Sequence, residues 1–286
     1  MPHIRRASSR LFGNVGRYLG TARLAPICGL LFLAAPAAAQ QPQLSAHDLA
    51  KLVQNPLADS ISIPFANDTN FPYGPYRQTG NILNVQPVIP FRLNDDWNII
   101  TRTTLPFMSQ VRMSPDDPPS FGMGDIVPMI ALSPSRPGNV IWGAGPTFSL
   151  PTATAPNLGT GQWAAGPSAV VVVQPDPWVF GLLVSQWWSF AGPRAAAPMN
   201  RTAAQLFVVY NFSDGWFLSY SPIITADWSA DSRDRWTVPV GGEVGRVFEV
   251  GGQAMSAAAG LYYNAVRPGI GPEWQARLNL TLIFPH

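Results

Sequence analysis

Four charged residues fall inside stretches that are otherwise apolar and alternating: Arg102, Asp125, Glu243 and Arg277. Two acids and two bases so placed do one of two things. They line a path and touch a solute, or they pair across an interior and fill it. Groups for covalent or metal chemistry are sparse. The histidines are His3, His47 and His286, all outside the strand-rich part of the chain, and the one cysteine is Cys28. A serine hydrolase needs imidazole beside its nucleophile, and a metal site needs clustered His, Cys or carboxylates. The residues therefore predict no enzyme, no metal and no cofactor. Asp95-Asp96 and Asp116-Asp117 are paired carboxylates in a turn and a loop, where solvation explains them. Gly122-Met123-Gly124-Asp125 has the glycines of a phosphate loop but lacks the rest of the motif and a following helix.

The elements that carry the four charges read as strands. At the C-terminus Trp274, Ala276, Leu278, Leu280, Leu282 and Phe284 alternate with Gln275, Arg277, Asn279, Thr281 and Ile283. That is period 2, one face apolar and the other mostly polar. Trp236, Val238, Val240 and Val244 alternate in the same way with Thr237, Gly241 and Glu243. Glu243 and Arg277 thus sit on the polar face, and Arg102 and Asp125 are placed there with them. Twelve such segments follow Asp59, near 60–66, 80–93, 97–108, 122–133, 140–151, 162–174, 178–190, 201–212, 215–226, 235–248, 254–266 and 273–284. Short turns and long polar loops alternate strictly between them.

That pattern predicts an all-β fold: an antiparallel transmembrane β-barrel of about 12 strands. Apolar faces would meet lipid, and a charge facing lipid at mid-depth costs about 2–4 kcal/mol, so the four charges should face the lumen. Trp97, Trp178 and Trp216 directly follow short turns, whereas Trp163, Trp236 and Trp274 open strands after long loops. Six indoles at both strand ends predict two interfacial girdles. Pro87, Pro90, Pro106, Pro128, Pro146, Pro167, Pro222 and Pro239 lie inside the segments. Proline cannot donate to a ladder, and a closed barrel has no edge to hide it, so bulges or broken pairing are expected at some of them.

Composition agrees. Of 286 residues 47% are hydrophobic and only 12% charged, with 30 Pro and 25 Gly. This is too apolar for a disordered chain, too charge-poor for nucleic-acid binding by counterion release and too rich in Pro and Gly for a helical bundle. The net charge of +2 belongs to the N-terminus. Arg5, Arg6, Arg10, Arg17 and Arg23 precede the apolar run 24–39, which ends in Ala37-Ala38-Ala39 before Gln40. This predicts a secretory signal peptide over 1–39. Removing it takes five of the 18 basic residues and none of the 16 acids, so the mature chain is mildly acidic. It also removes Cys28. Residues 40–59 form an N-terminal segment, with a short helix expected over 44–57: Ser45 as cap, Leu49, Leu52 and Val53 on one face, Pro56 as stop. That helix would either plug the barrel of 60–286 or lie outside its mouth.

Several stretches together resemble the bacterial family labelled for the MetA pathway of phenol degradation, over about residues 48–285. They are Asn81–Phe91, Trp97-Asn98 with Ile100-Thr101-Arg102, Phe121–Ile126, Ile141–Thr154, Leu158-Gly159 with Gly161, Ser221–Ala226, Arg235–Val240 and Tyr262–Pro268. The resemblance implies an outer-membrane barrel, a transporter or channel, linked in some members to catabolism of aromatic compounds. It supplies no catalytic residues. A terminal aromatic is the usual assembly signal of such barrels, and here Phe284 is followed by Pro285-His286. The function expected is passive uptake of small solutes, aromatic or apolar ones among them, across the bacterial outer membrane. The alternative is a non-conducting structural or ligand-binding barrel. Expected partners are outer-membrane lipid, a small-molecule solute and the barrel-assembly machinery, with no nucleic acid. The oligomeric state is left open.

Overall fold

The computed structural model describes residues 46–285, apart from Asp117 and Ala195. The expected leader, the cap Ser45 and His286 lie outside the described residues. One short helix, α1 (Ala46–Gln54), precedes twelve barrel strands. These are β1 (Ser60–Tyr73), β2 (Gln78–Val85 and Val88–Arg92), β3 (Trp97–Gln110) and β4 (Ser120–Met123 and Val127–Pro134). Then come β5 (Val140–Ser149), β6 (Trp163–Val173), β7 (Trp178–Ala191) and β8 (Asn200–Asn211). β9 (Trp216–Tyr220 and Ile223–Asp227), β10 (Trp236–Val250), β11 (Gln253–Val266) and β12 (Trp274–Pro285) complete the set. Each strand pairs antiparallel with its sequence neighbours, and β1 pairs with β12 from Ser60↔Pro285 to Phe71↔Trp274, closing the sheet. Closure leaves no edge, so the ladder satisfies the backbone all round.

Three strands are interrupted, each for a local reason. β2 breaks at Gln86-Pro87 and β9 at Ser221-Pro222, where proline withholds a donor. In β4 three residues, Gly124 to Ile126, face only Leu105 and Pro106 of β3, which is a bulge. The register also shifts at Val238-Pro239 of β10. Pro90, Pro106, Pro128, Pro146 and Pro167 are carried inside continuous segments, and Pro146 stands directly opposite Pro167.

The expected boundaries need one correction of consequence. β1 runs on to Tyr73, so Asp68 and Asn70 belong to a strand rather than to the loop expected over 67–79. Residue-by-residue alternation carries Asp68 to the inner face beside Arg277.

The outer surface is apolar: Leu218, Val244, Leu261 and Leu278 are exposed there. Aromatic rings sit near both rims. Trp178 stacks on Phe180 at the short-turn end, and Trp228 meets Trp236 edge-on at the long-loop end. A closed sheet with this exterior is built to sit in lipid.

The inner face changes character with depth. Towards the short turns it is apolar, with Ile100, Val172, Val179, Val209, Val247 and Ile283 fully or nearly fully buried. These side chains form one cluster with Leu49, Ala50 and Leu57, so α1 seats against the inner wall like a helix on a soluble core. Leu49 and Val53 are four residues apart and Ala50 lies between them, which places all three on one face. Full burial of Leu49 contributes about 1.5–3 kcal/mol. Polar contacts fix the seat. Gln54 and Asn211 exchange amide hydrogen bonds at 2.8 and 3.1 Å. Gln174 Nε2 donates to the Lys51 carbonyl at 2.9 Å, and Lys51 Nζ meets Asp176 Oδ1 at 2.9 Å. Of the two positions open to the helix, the structure has it as a plug at the short-turn mouth.

Candidate functional site: the barrel interior

Above α1 the lumen is polar and holds two cavities. The lower, of about 250 Å³, is floored on one side by Val53 to Pro56 and lined by Asp68, Glu243 and Arg277. The upper, of about 320 Å³, reaches Trp187, Met199 and Arg201 towards the long loops. Asn84, Gln86, Arg102, Leu183, Gln205 and Ile223 line both, forming a belt where the two meet.

An ion cluster occupies one wall of the lower cavity. Arg277 Nε donates to Asp68 Oδ1 at 2.7 Å, and Arg277 Nη1 lies 3.6 Å from Glu243 Oε1. Tyr262 donates its hydroxyl proton to Glu243 Oε1 at 2.6 Å, and Asn279 Nδ2 donates to Glu243 Oε2 at 2.6 Å. The guanidinium also stands over the Tyr262 ring, 5.1 Å from its centroid. The break in β9 feeds this cluster. Ser221, freed from the ladder by Pro222, gives its carbonyl to Arg277 Nη1 at 3.0 Å and its N–H to the Tyr262 hydroxyl at 3.2 Å. Glu243 and Arg277 are therefore brought together, and each is nearly fully buried. Mutual satisfaction explains how charge is tolerated there.

Arg102 is treated differently. Its Nη2 donates to Gln86 Oε1 at 2.6 Å, beside the break in β2. Among the described residues no carboxylate forms an ion pair with it. The guanidinium has five N–H donors, and among the described residues its one side-chain hydrogen bond is to Gln86.

Asp125 sits in the β4 bulge and does not line either cavity. Its Oδ2 accepts from Thr160 N at 2.6 Å and from the Thr160 hydroxyl at 2.9 Å, and its Oδ1 accepts from Ala153 N at 3.3 Å. The carboxylate thus pins the loop after β5. Gly159 passes so close to Asp125 that a Cβ there would collide with it. Leu158 of the same loop packs over Gly122 and Gly124. The glycines that resembled a phosphate loop therefore make room for a folded-in loop.

Among the six expected girdle residues, Trp163, Trp178, Trp216, Trp236 and Trp274 are exposed on the outer surface and Trp97 is half-buried, edge-on to Trp142 at 6.0 Å. Among the described residues no group of three or more His, Cys, Asp or Glu is placed to hold a metal ion.

An outer-membrane channel from Pseudomonas putida F1 has a similar structure, with a TM-score of 0.60 over 79% of this chain and 95% of that one, at 18% identity. The two share the fold of a closed antiparallel β-barrel. Likenesses to NanC porin (TM-score 0.47, 8% identity, 79% of this chain and 100% of that one) and to outer membrane phospholipase A from Escherichia coli (0.43, 12%, 85% and 98%) are looser. No family model matches the chain, and no curated protein matches it in sequence.

Sequence reasoning missed Asp68, Tyr262, Ser221 and Gln86. Asp68 carried a signal: had the alternation of β1 been followed past Ala66, the acid would have fallen on the polar face opposite Arg277. Gln86 and Ser221 stand beside Pro87 and Pro222, where broken pairing was expected, but their partners, like those of Tyr262, lie across strands and no local pattern encodes them.

Proposed function

We propose that this barrel is a passive channel of the bacterial outer membrane for small solutes, aromatic or apolar ones among them, and that it belongs to the MetA-pathway family that its sequence resembles. The observation that carries this reading is the pair of adjoining cavities above α1, which share a belt of polar residues interleaved with the apolar Leu183 and Ile223. Weak polarity and narrow width would select by size and surface character rather than by strong charge. The leader over 1–39 would be removed on export, and the mature chain inserted by the barrel-assembly machinery.

Planar-bilayer recording on the purified barrel tests the reading: discrete conductance steps are expected. Absence of conductance together with absence of solute flux in liposome swelling would overturn it.

One observation favours a second reading, a ligand-binding barrel without through-flow. Phe207 and Phe217 are buried with α1 at the short-turn mouth, and Trp187 borders the upper cavity. Saturable solute binding without conductance would select it.

A further inference from the structure

We propose that the upper cavity is a binding site for small monocarboxylates with an apolar body, the carboxylate being held by Arg102. This rests on the solute-handling reading above and names the class of solute. Two of the arginines on the cavity walls, Arg102 and Arg277, are treated in opposite ways. Arg277 is matched by Asp68 and Glu243 and by a backbone carbonyl. Among the described residues Arg102 hydrogen-bonds through its side chain to the neutral Gln86 alone, and it lines both cavities at the belt. A guanidinium on a cavity wall with no carboxylate of its own attracts an anion, and a site of this kind is completed by one.

The surroundings choose where that anion sits. Among the described residues lining the upper cavity there are two arginines, Arg102 and Arg201, and no acid. Arg201 is already paired with Asp227 at 3.0 Å, which leaves Arg102 as the uncompensated charge. In the lower cavity Asp68 and Glu243 are matched to Arg277, so beyond the shared Arg102 no uncompensated cation is left there to draw an anion further in. An anion entering from the long-loop side therefore stops at the belt. Asn84 and Gln205 stand on the same belt as neutral polar neighbours.

The walls choose the rest of the molecule. Leu183, Ile223, Val127 and Met129 are apolar, and Trp187 supplies a ring face. A planar or compact apolar body carrying one carboxylate matches both features: guanidinium takes a carboxylate in a two-pronged geometry, and the body fills the apolar side.

The test compares benzoate, benzyl alcohol and benzylammonium, which share a ring and differ in charge. Binding to the folded full-length barrel in detergent is measured by calorimetry, and entry by flux into proteoliposomes. The wild type is expected to bind benzoate at least about tenfold more tightly than benzyl alcohol, the worth of one charge-assisted contact, with benzylammonium weakest. That preference should collapse in Arg102→Gln and persist in part in Arg102→Lys. Gln205→Glu places a carboxylate on the belt and should abolish the preference while keeping the arginine. If Arg102→Gln fails to give a heat-modifiable folded species, Gln205→Glu decides. Equal binding of benzoate and benzyl alcohol by the wild type, or an unchanged preference in the folded variants, overturns the proposal even if all three compounds permeate. Arg102-dependent benzoate binding without flux or conductance upholds the site and overturns the channel.

Discussion

Asp68 and Arg277 are 209 residues apart in the chain and 2.7 Å apart in the barrel, directly opposite one another across the seam between β1 and β12. Glu243 completes the cluster from β10. A buried pair of this kind contributes little over an apolar filling, but removing one partner leaves charge stranded. Arg277→Met is therefore expected to destabilise the barrel by about 3–5 kcal/mol. Combining it with Asp68→Asn and Glu243→Gln should recover most of that loss. Urea unfolding in lipid vesicles, followed by heat-modifiable gel mobility, measures both. A triple variant no more stable than Arg277→Met would contradict the account.

Asp125 should behave as a latch. Asp125→Ala removes three hydrogen bonds to the loop after β5, and bonds to a charged acceptor are worth about 1.5–3 kcal/mol each. The barrel should still fold, because the carboxylate is not part of the ladder. Limited proteolysis should cut between residues 150 and 162 much faster than in the wild type. Protection equal to the wild type would mean that packing of Leu158 alone holds the loop.

Seating of α1 predicts a conductance effect. Leu49→Asp places a charge in the apolar cluster at the short-turn mouth, where the leucine is now buried. Lys51→Glu turns the contact with Asp176 from attraction to repulsion. Together they should unseat the helix and raise single-channel conductance in planar bilayers. Unchanged conductance would show that the belt, and not α1, is the narrowest point.

Lipid-facing and lumen-facing positions alternate along β12, so neighbouring substitutions should differ sharply. Leu278 is 60% exposed on the outer surface. Leu278→Arg should cost about 2–4 kcal/mol, as for arginine near mid-depth in lipid. Asn279→Arg on the inner face should cost less in folding and instead perturb Glu243, to which Asn279 donates. Unfolding titrations of the two variants side by side check the contrast.

Much of the architecture was legible because strand alternation is local. Trp274 to Phe284 announce one apolar face without reference to any other segment, and the spacing of turns gives twelve strands. The inner polar face of Glu243 and Arg277 follows from the same count. What sequence could not supply is contact across the barrel. Nothing near Arg277 names Asp68, and nothing near Ser221 names Tyr262. The apolar inner wall at the short-turn end was hidden for another reason. Val170, Val172, Val179 and Val209 look like lipid-facing residues until α1 is known to lie against them. Asp125 was legible as an inward charge, but its bulge diverts it to a loop far along the chain.

The seam has a consequence for how the ring is completed. Arg277 rides on the last strand and Asp68 on the first, so their charges cancel only when both ends of the chain have met in register. A sheet missing β1 would leave Arg277 without its shortest ion pair and with only the longer contact to Glu243, and a slip of one residue would turn Asp68 outward into lipid. The pair thus acts as a check on assembly: a correctly joined ring is the arrangement in which the charges carried by the two terminal strands disappear from view.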